Sequence, residues 1–317
     1  MCPACCRKLQ SSLVLKIHKP MRHILGILIG MSSCAKADNV QTPWGLSVDA
    51  GVIYRQDKMT WRIGNAPTTT LSELEYKINA IQPKLAMSVT APYHMALQIY
   101  YADGDIKAGD AYDSDYDESL ASLYSLSKSD LIGSVSDWGL MFSKGYSLKK
   151  VSATIDMGWS RHKQNLNMID GFQLVLGGQP YYGSIGGLNN SYATQWQGFF
   201  WGAGLSIASD IHWQFNANIK QHFFSYNAKA NWNLRKEFSH PLSFEHQINA
   251  NAYEGSLTAI YHINNKCSLK SFITVLAAEG KNGIDTTYFN NSNAQVYFLN
   301  HMSWFSSQYG IVLDYKY

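Results

Sequence analysis

Residues 110–118 read Asp-Ala-Tyr-Asp-Ser-Asp-Tyr-Asp-Glu, the densest run of carboxylates in the chain. Asp113 and Asp115 stand one residue apart, and two such groups repel and raise one another's pKa. Acid–base catalysis at the pair would also need a partner base within reach. With Asp117 the pair has the alternate spacing of calcium loops. Glu118, however, stands where an EF-hand needs Gly, and Tyr124 where it needs a bidentate Glu. A solvated segment is the third reading, because Asp and Ser favour turns. All three stay open.

Other chemistry is thinner. Eight histidines lie beyond residue 37, and none has a ligand partner four residues on along a helix, so no metal site is expected. Cys2-Pro3-Ala4-Cys5-Cys6 lacks the second cysteine pair of a metal knuckle. Gly177–Gly187 lacks the Lys-Ser/Thr of a phosphate loop. Cys267 has no base nearby in sequence. No cofactor is expected, beyond bound lipopolysaccharide or a divalent cation.

The elements that must position these residues are strands. Counting back from the end, Tyr317, Tyr315, Leu313, Ile311 and Tyr309 occupy every second position, with Lys316, Asp314 and Gly310 between them. A period of two with one apolar face is a half-buried strand. Ending on such a strand with a terminal aromatic is how outer-membrane barrels close and are recognised by the barrel-assembly machinery, so these five residues are read as an assembly signal. The alternation repeats ten times, cleanest in Trp213, Phe215, Ala217 and Ile219 against His212, Gln214, Asn216, Asn218 and Lys220. The apolar set changes parity past Pro83 and near Gly255, which predicts a bulge at each.

Short connections alternate with long links near 57–70, 105–131, 163–190, 227–244 and 280–303, the pattern of periplasmic turns and extracellular loops. The fold class is therefore all-β, a ten-stranded antiparallel transmembrane β-barrel in the bacterial outer membrane, with lipid and lipopolysaccharide as partners. A soluble sandwich is the weaker alternative. Polar faces point inward, which assigns Asp49, Arg55, Glu73, Glu75, Lys77, Asp156, Lys220 and His222 to the lumen. Eight strands leave room only for side chains and open channels need sixteen or more, so ten predict a polar, plugged lumen or a narrow path.

Residues 1–37 read as a signal peptide. Lys16, Lys19 and Arg22 precede an eight-residue apolar core, Ile24–Met31, and Ala35-Lys36-Ala37 supplies the cleavage pattern. The core is too short to cross a bilayer as a helix. Met21 is an alternative start, and Met31-Ser32-Ser33-Cys34 loosely matches a lipoprotein box. The segment holds six of the 26 basic residues and no acidic one, leaving 20 basic against 23 acidic residues in 38–317. The basic balance of the whole chain thus belongs to the signal, and nucleic acid is not an expected partner. Mean hydropathy is −0.20 with 13% aromatics, which fits apolar residues spread along strands.

Ser72–Tyr76, Asp113-Ser114-Asp115-Tyr116, Trp159–Leu166 with Met168–Gly171, and Leu188–Tyr192 leading to Trp196-Gln197-Gly198 resemble the Protochlamydia outer membrane protein family. That family is similar to the omptins, ten-stranded surface proteases. The first resemblance implies a surface barrel, porin-like or structural and adhesive. The second implies an endoprotease, in which an aspartate pair on the second extracellular loop faces an Asp-x-His dyad on the fourth. Asp113 and Asp115 match the first half. Residues 227–240 contain no Asp-x-His, and the one such triplet, Asp210-Ile211-His212, falls in a periplasmic turn. His240 and His246 lack a neighbouring aspartate in sequence.

Overall fold

The computed structural model describes residues 44–117, 122–148 and 151–317. Residues 1–37, read above as a signal peptide, and Glu118 lie outside them. Eleven strands follow one another: β1 (Gly45–Gly64), β2 (Ser72–Ala91), β3 (Met95–Tyr116), β4 (Leu123–Leu148), β5 (Val151–Leu176), β6 (Gln179–Ile185), β7 (Asn190–Ala208), β8 (Trp213–Asn231), β9 (Phe244–His262), β10 (Cys267–Tyr288) and β11 (Ala294–Lys316). Ten of them form an antiparallel ring in chain order, with β11 against β1 and β4 against β5; β6 pairs with β5 alone, as the second arm of a hairpin. A closed ring leaves no unpaired edge, the condition for crossing lipid with strands.

Terminal strand β11 joins β1 with Tyr315 opposite Val48, Leu313 opposite Ala50, Ile311 opposite Val52 and Tyr309 opposite Tyr54. The proposed assembly residues, Tyr309, Ile311, Leu313, Tyr315 and Tyr317, are all exposed on the outer surface. Outward aromatics mark two levels: Tyr146, Trp213, Tyr261 and Tyr315 toward the short turns, and Tyr54, Tyr101, Trp159 and Tyr253 further up the strands. These are the two interfacial girdles of a membrane barrel.

The ring strands run 19–26 residues, whereas about 9–11 suffice to cross a bilayer. Their upper halves therefore stand beyond the membrane. Much of what the long links were expected to hold as loop is strand, and Asp113 and Asp115 lie on β3 rather than in a loop.

This projection corrects two expectations. Glu73, Glu75 and Lys77 do not line the lumen. On β2 the buried inward positions are Leu74, Tyr76, Ile78, Ala80 and Gln82, with the three charged residues on the opposite face. Glu75 pairs outside with Lys58 and Lys77, each at 2.7 Å, and Glu73 pairs with Arg62. Nor is there a bulge at Pro83, since β1 and β2 stay in register from Gly45↔Thr90 to Ile63↔Ser72. The outward face meets lipid at Leu85 and Met87 and water at Lys77 and Glu75, so its polarity inverts while its geometry does not. Strand β9 behaves alike: Tyr253, Leu257 and Tyr261 share the outward face with Gln247, Asn249 and Asn251 above them, without a register shift at Gly255.

Candidate active site

Inside the barrel, the side chains form layers. Arg55 is fully buried at mid-height. It donates Nε and Nη2 to Asp57 at 2.6–2.9 Å, and Nη1 to both oxygens of Asp137 at 2.8 and 3.0 Å. Asp137 also accepts from Gln82 at 2.9 Å and meets His162 Nδ1 at 2.7 Å, while Gln164 donates to Asp57 at 2.6 Å. Trp304 lies under the guanidinium, 5.4 Å from its ring centre. The layer joins β1, β2, β4, β5 and β11 across the lumen and fills it with paired charge.

Of the predicted lumen residues, Asp49, Arg55, Asp156, Lys220 and His222 are inward. Lys220 meets Glu254 at 2.8 Å, and His222 Nε2 lies 3.2 Å from the same carboxylate. Lys270 bridges Asp49 at 2.9 Å and Asp314 at 3.3 Å. Asp57, Asp137 and His162 went unassigned in the sequence. Parity was the available signal: Arg55 inward implies Asp57 inward, and Asp156 inward implies Ser160, His162 and Gln164.

Above this layer the core is aromatic. Trp61, Tyr76, Tyr192, Trp196, Tyr226 and Phe244 are buried, and Tyr76 stacks on Tyr192 at 5.2 Å. Within this packing sits His246, fully buried near the start of β9. Its Nδ1 lies 2.8 Å from the Tyr192 hydroxyl, which lies 2.6 Å from the Tyr226 hydroxyl. Its Nε2 lies 3.0 Å from Asp285 Oδ2, close but off the line of a hydrogen bond. Asp285 is held in turn by Thr287, whose hydroxyl donates to Oδ1 at 2.8 Å. The aspartate absent beside His246 in the chain thus comes from the next strand, where Asp285 is its register partner.

The carboxylate pair stands over this core. Asp113 and Asp115 are half-buried on the inward face of β3, in the part beyond the membrane. The link between β8 and β9 reaches them: Trp232 favours the ionised form of Asp113, and the Arg235 guanidinium that of both carboxylates. Trp232 packs on Phe244 at 4.6 Å, two residues before His246. Burial, then the Asp115 charge, push the Asp113 carboxyl up to about 7; burial also raises Asp115, against the Ser72 hydrogen bond. A carboxyl raised to about 7 can give and take a proton at physiological pH.

The tempting triplet plays no part. Asp210 Oδ1 accepts from the backbone amides of His212 and Trp213, each at 2.7 Å, so it shapes the turn before β8. His240 meets Asn231 at 2.7 Å, with no carboxylate partner among the described residues. Nor do three or more metal-ligating side chains converge among those residues.

A closed ring of antiparallel strands, apolar outside between aromatic girdles and charged within, is an outer-membrane β-barrel. The chain belongs to the Protochlamydia outer membrane protein family, whose model matches residues 48–317. No curated protein sequence matches it. Among solved structures, the outer membrane protease OmpT from Escherichia coli is similar with a TM-score of 0.75 at 14% identity, covering 87% of this chain and 98% of that one. OprG, an outer membrane protein from Pseudomonas aeruginosa, covers 87% of this chain and 97% of its own at 10% identity, with a TM-score of 0.33.

Proposed function

We propose that this outer-membrane surface barrel is a hydrolase of peptide bonds, working at its extracellular mouth. The reading rests on one observation, the imidazole of His246 set against Asp285 at 3.0 Å beneath the Asp113–Asp115 pair. In this reading Asp113 and Asp115 hold and polarise a water, one carboxyl protonated and the other ionised. The ionised carboxyl of the pair takes up the water's proton, and His246, whose two nitrogens face the Tyr192 hydroxyl and Asp285, positions the packing that supports the pair. The similar fold of a protease supports it, as do the residue types on β3 and β9. Incubating the folded protein with a fluorogenic peptide library tests it. Cleavage lost by about 10²-fold or more in Asp113→Asn and His246→Asn, with the barrel intact, is the expected result. Absence of cleavage in the wild type refutes it.

A porin-like role is the second reading, favoured by the polar cavity beneath the Arg55 layer. Removal of residues 1–37, recognition of β11 by the assembly machinery, and lipopolysaccharide or a divalent cation at the outward charged collar complete the proposal.

A further inference from the structure

On the periplasmic side of the Arg55 layer the barrel encloses a cavity of about 370 Å³, roofed by Asp137, His162 and Trp304. That is the small end of the range for ligand pockets. Its charged lining is almost entirely self-neutralised: Lys220 with Glu254, and Lys270 with Asp49. Two groups stand apart. The Lys84 ammonium lies over the rings of Phe272 and Tyr100, at 4.8 and 5.5 Å, and makes no ion pair or hydrogen bond with any described residue. Asp156, buried on β5, likewise has neither. Both line the same cavity, from strands three apart around the ring. Around Asp156 the lining holds the neutral Ser143, Thr154 and Asn218, and beyond Gly202 the Lys220 ammonium, already engaged by Glu254 at 2.8 Å.

A buried charge without a partner costs far more than a paired one, and here one of each sign is left open across one compartment. No ion pair joins them across the strands that separate them, and the bridge that would serve both carries a carboxylate for Lys84 and an ammonium for Asp156. We propose that the cavity is a binding site for a small zwitterion of the amino-acid class, with Lys84 holding its carboxylate and Asp156 its ammonium. The aromatic pair around Lys84 aims the ammonium without neutralising it, and the wall of hydroxyl and amide groups tolerates a short polar solute. The site is separate from the extracellular mouth, and the hydrolase reading neither needs it nor depends on it.

Titration calorimetry on the folded protein in non-ionic detergent decides the matter, with L-alanine, acetate and methylammonium as probes. Saturable binding of alanine is expected, with acetate and methylammonium each weaker by at least about tenfold, since each forfeits one charged hydrogen-bonding contact. Lys84→Met should weaken alanine and acetate but spare methylammonium; Asp156→Asn should weaken alanine and methylammonium but spare acetate. Both variants remove an unpaired buried charge and should fold, and the wild-type probe series stands without them. Absence of alanine binding, acetate binding as tightly as alanine, or unchanged alanine affinity in both variants overturns the proposal.

Discussion

His246 meets a tyrosine hydroxyl at 2.8 Å through Nδ1, and its Nε2 lies 3.0 Å from the Asp285 carboxylate, so the ring is positioned from both sides. Removing the carboxylate should therefore loosen the imidazole more than it changes the surrounding packing. In the hydrolase reading, Asp285→Asn lowers kcat for peptide cleavage while KM stays within about twofold, because an orienting group acts in the chemical step. Steady-state kinetics on one cleaved peptide checks this. The raised Asp113 carboxyl makes a second prediction. The folded state keeps this proton up to about pH 7, whereas the unfolded chain releases it near the ordinary carboxylate value of 3.8. The folded state thus binds more protons between those values, and stability contributed by this group is lost as pH rises from about 4 to about 7. Urea unfolding of the wild type should show that decline relative to Asp113→Asn, in which the contribution is absent. A wild-type-minus-variant difference flat with pH would refute it.

Each strand is one alternating face crossing two solvents, and substitutions should report which solvent a position meets. Leu85 lies at the lipid level of β2 and is 57% exposed, so Leu85→Arg should destabilise the barrel by about 2–4 kcal/mol. Lys77 shares that outward face but stands in water, and Lys77→Leu should change stability by less than about 0.5 kcal/mol. Leu74, on the inward face and fully buried, should lose about 2–5 kcal/mol on truncation to Ala. Equilibrium unfolding in lipid vesicles ranks the three. A bulge at Pro83 would reverse the order of Lys77 and Leu74.

Across the whole molecule the Arg55 layer divides the interior into an extracellular aromatic half and a periplasmic polar half. Removing Arg55 alone strands Asp57 and Asp137 together, and Arg55→Met should cost about 3–5 kcal/mol. Replacing all three by apolar residues of similar volume should restore most of the loss, because the desolvation cost goes with the charges. The layer also bears on transport. The wild-type barrel in a planar bilayer should give no steady conductance; a steady current whose ion selectivity shifts in Lys220→Glu would instead make the porin-like reading primary.

How much could be read in advance follows from the range of the forces involved. Alternation is local: a side chain two residues on meets the same face, so strands, ring, outer-membrane location and the outward row Tyr309 to Tyr317 were legible from residue types alone. Inward Arg55, Lys220 and His222 followed from the same parity. Glu73, Glu75 and Lys77 were misplaced because a period-two pattern cannot tell a bulge from the water line: both reverse which residue types share a face. Only the tertiary structure located that line, on strands long enough to leave the membrane. It alone joined His246 to Asp285, and Arg55 to Asp137 and His162. Those contacts are set by strand register and by reach across the lumen, which bring together positions that no spacing in the chain relates.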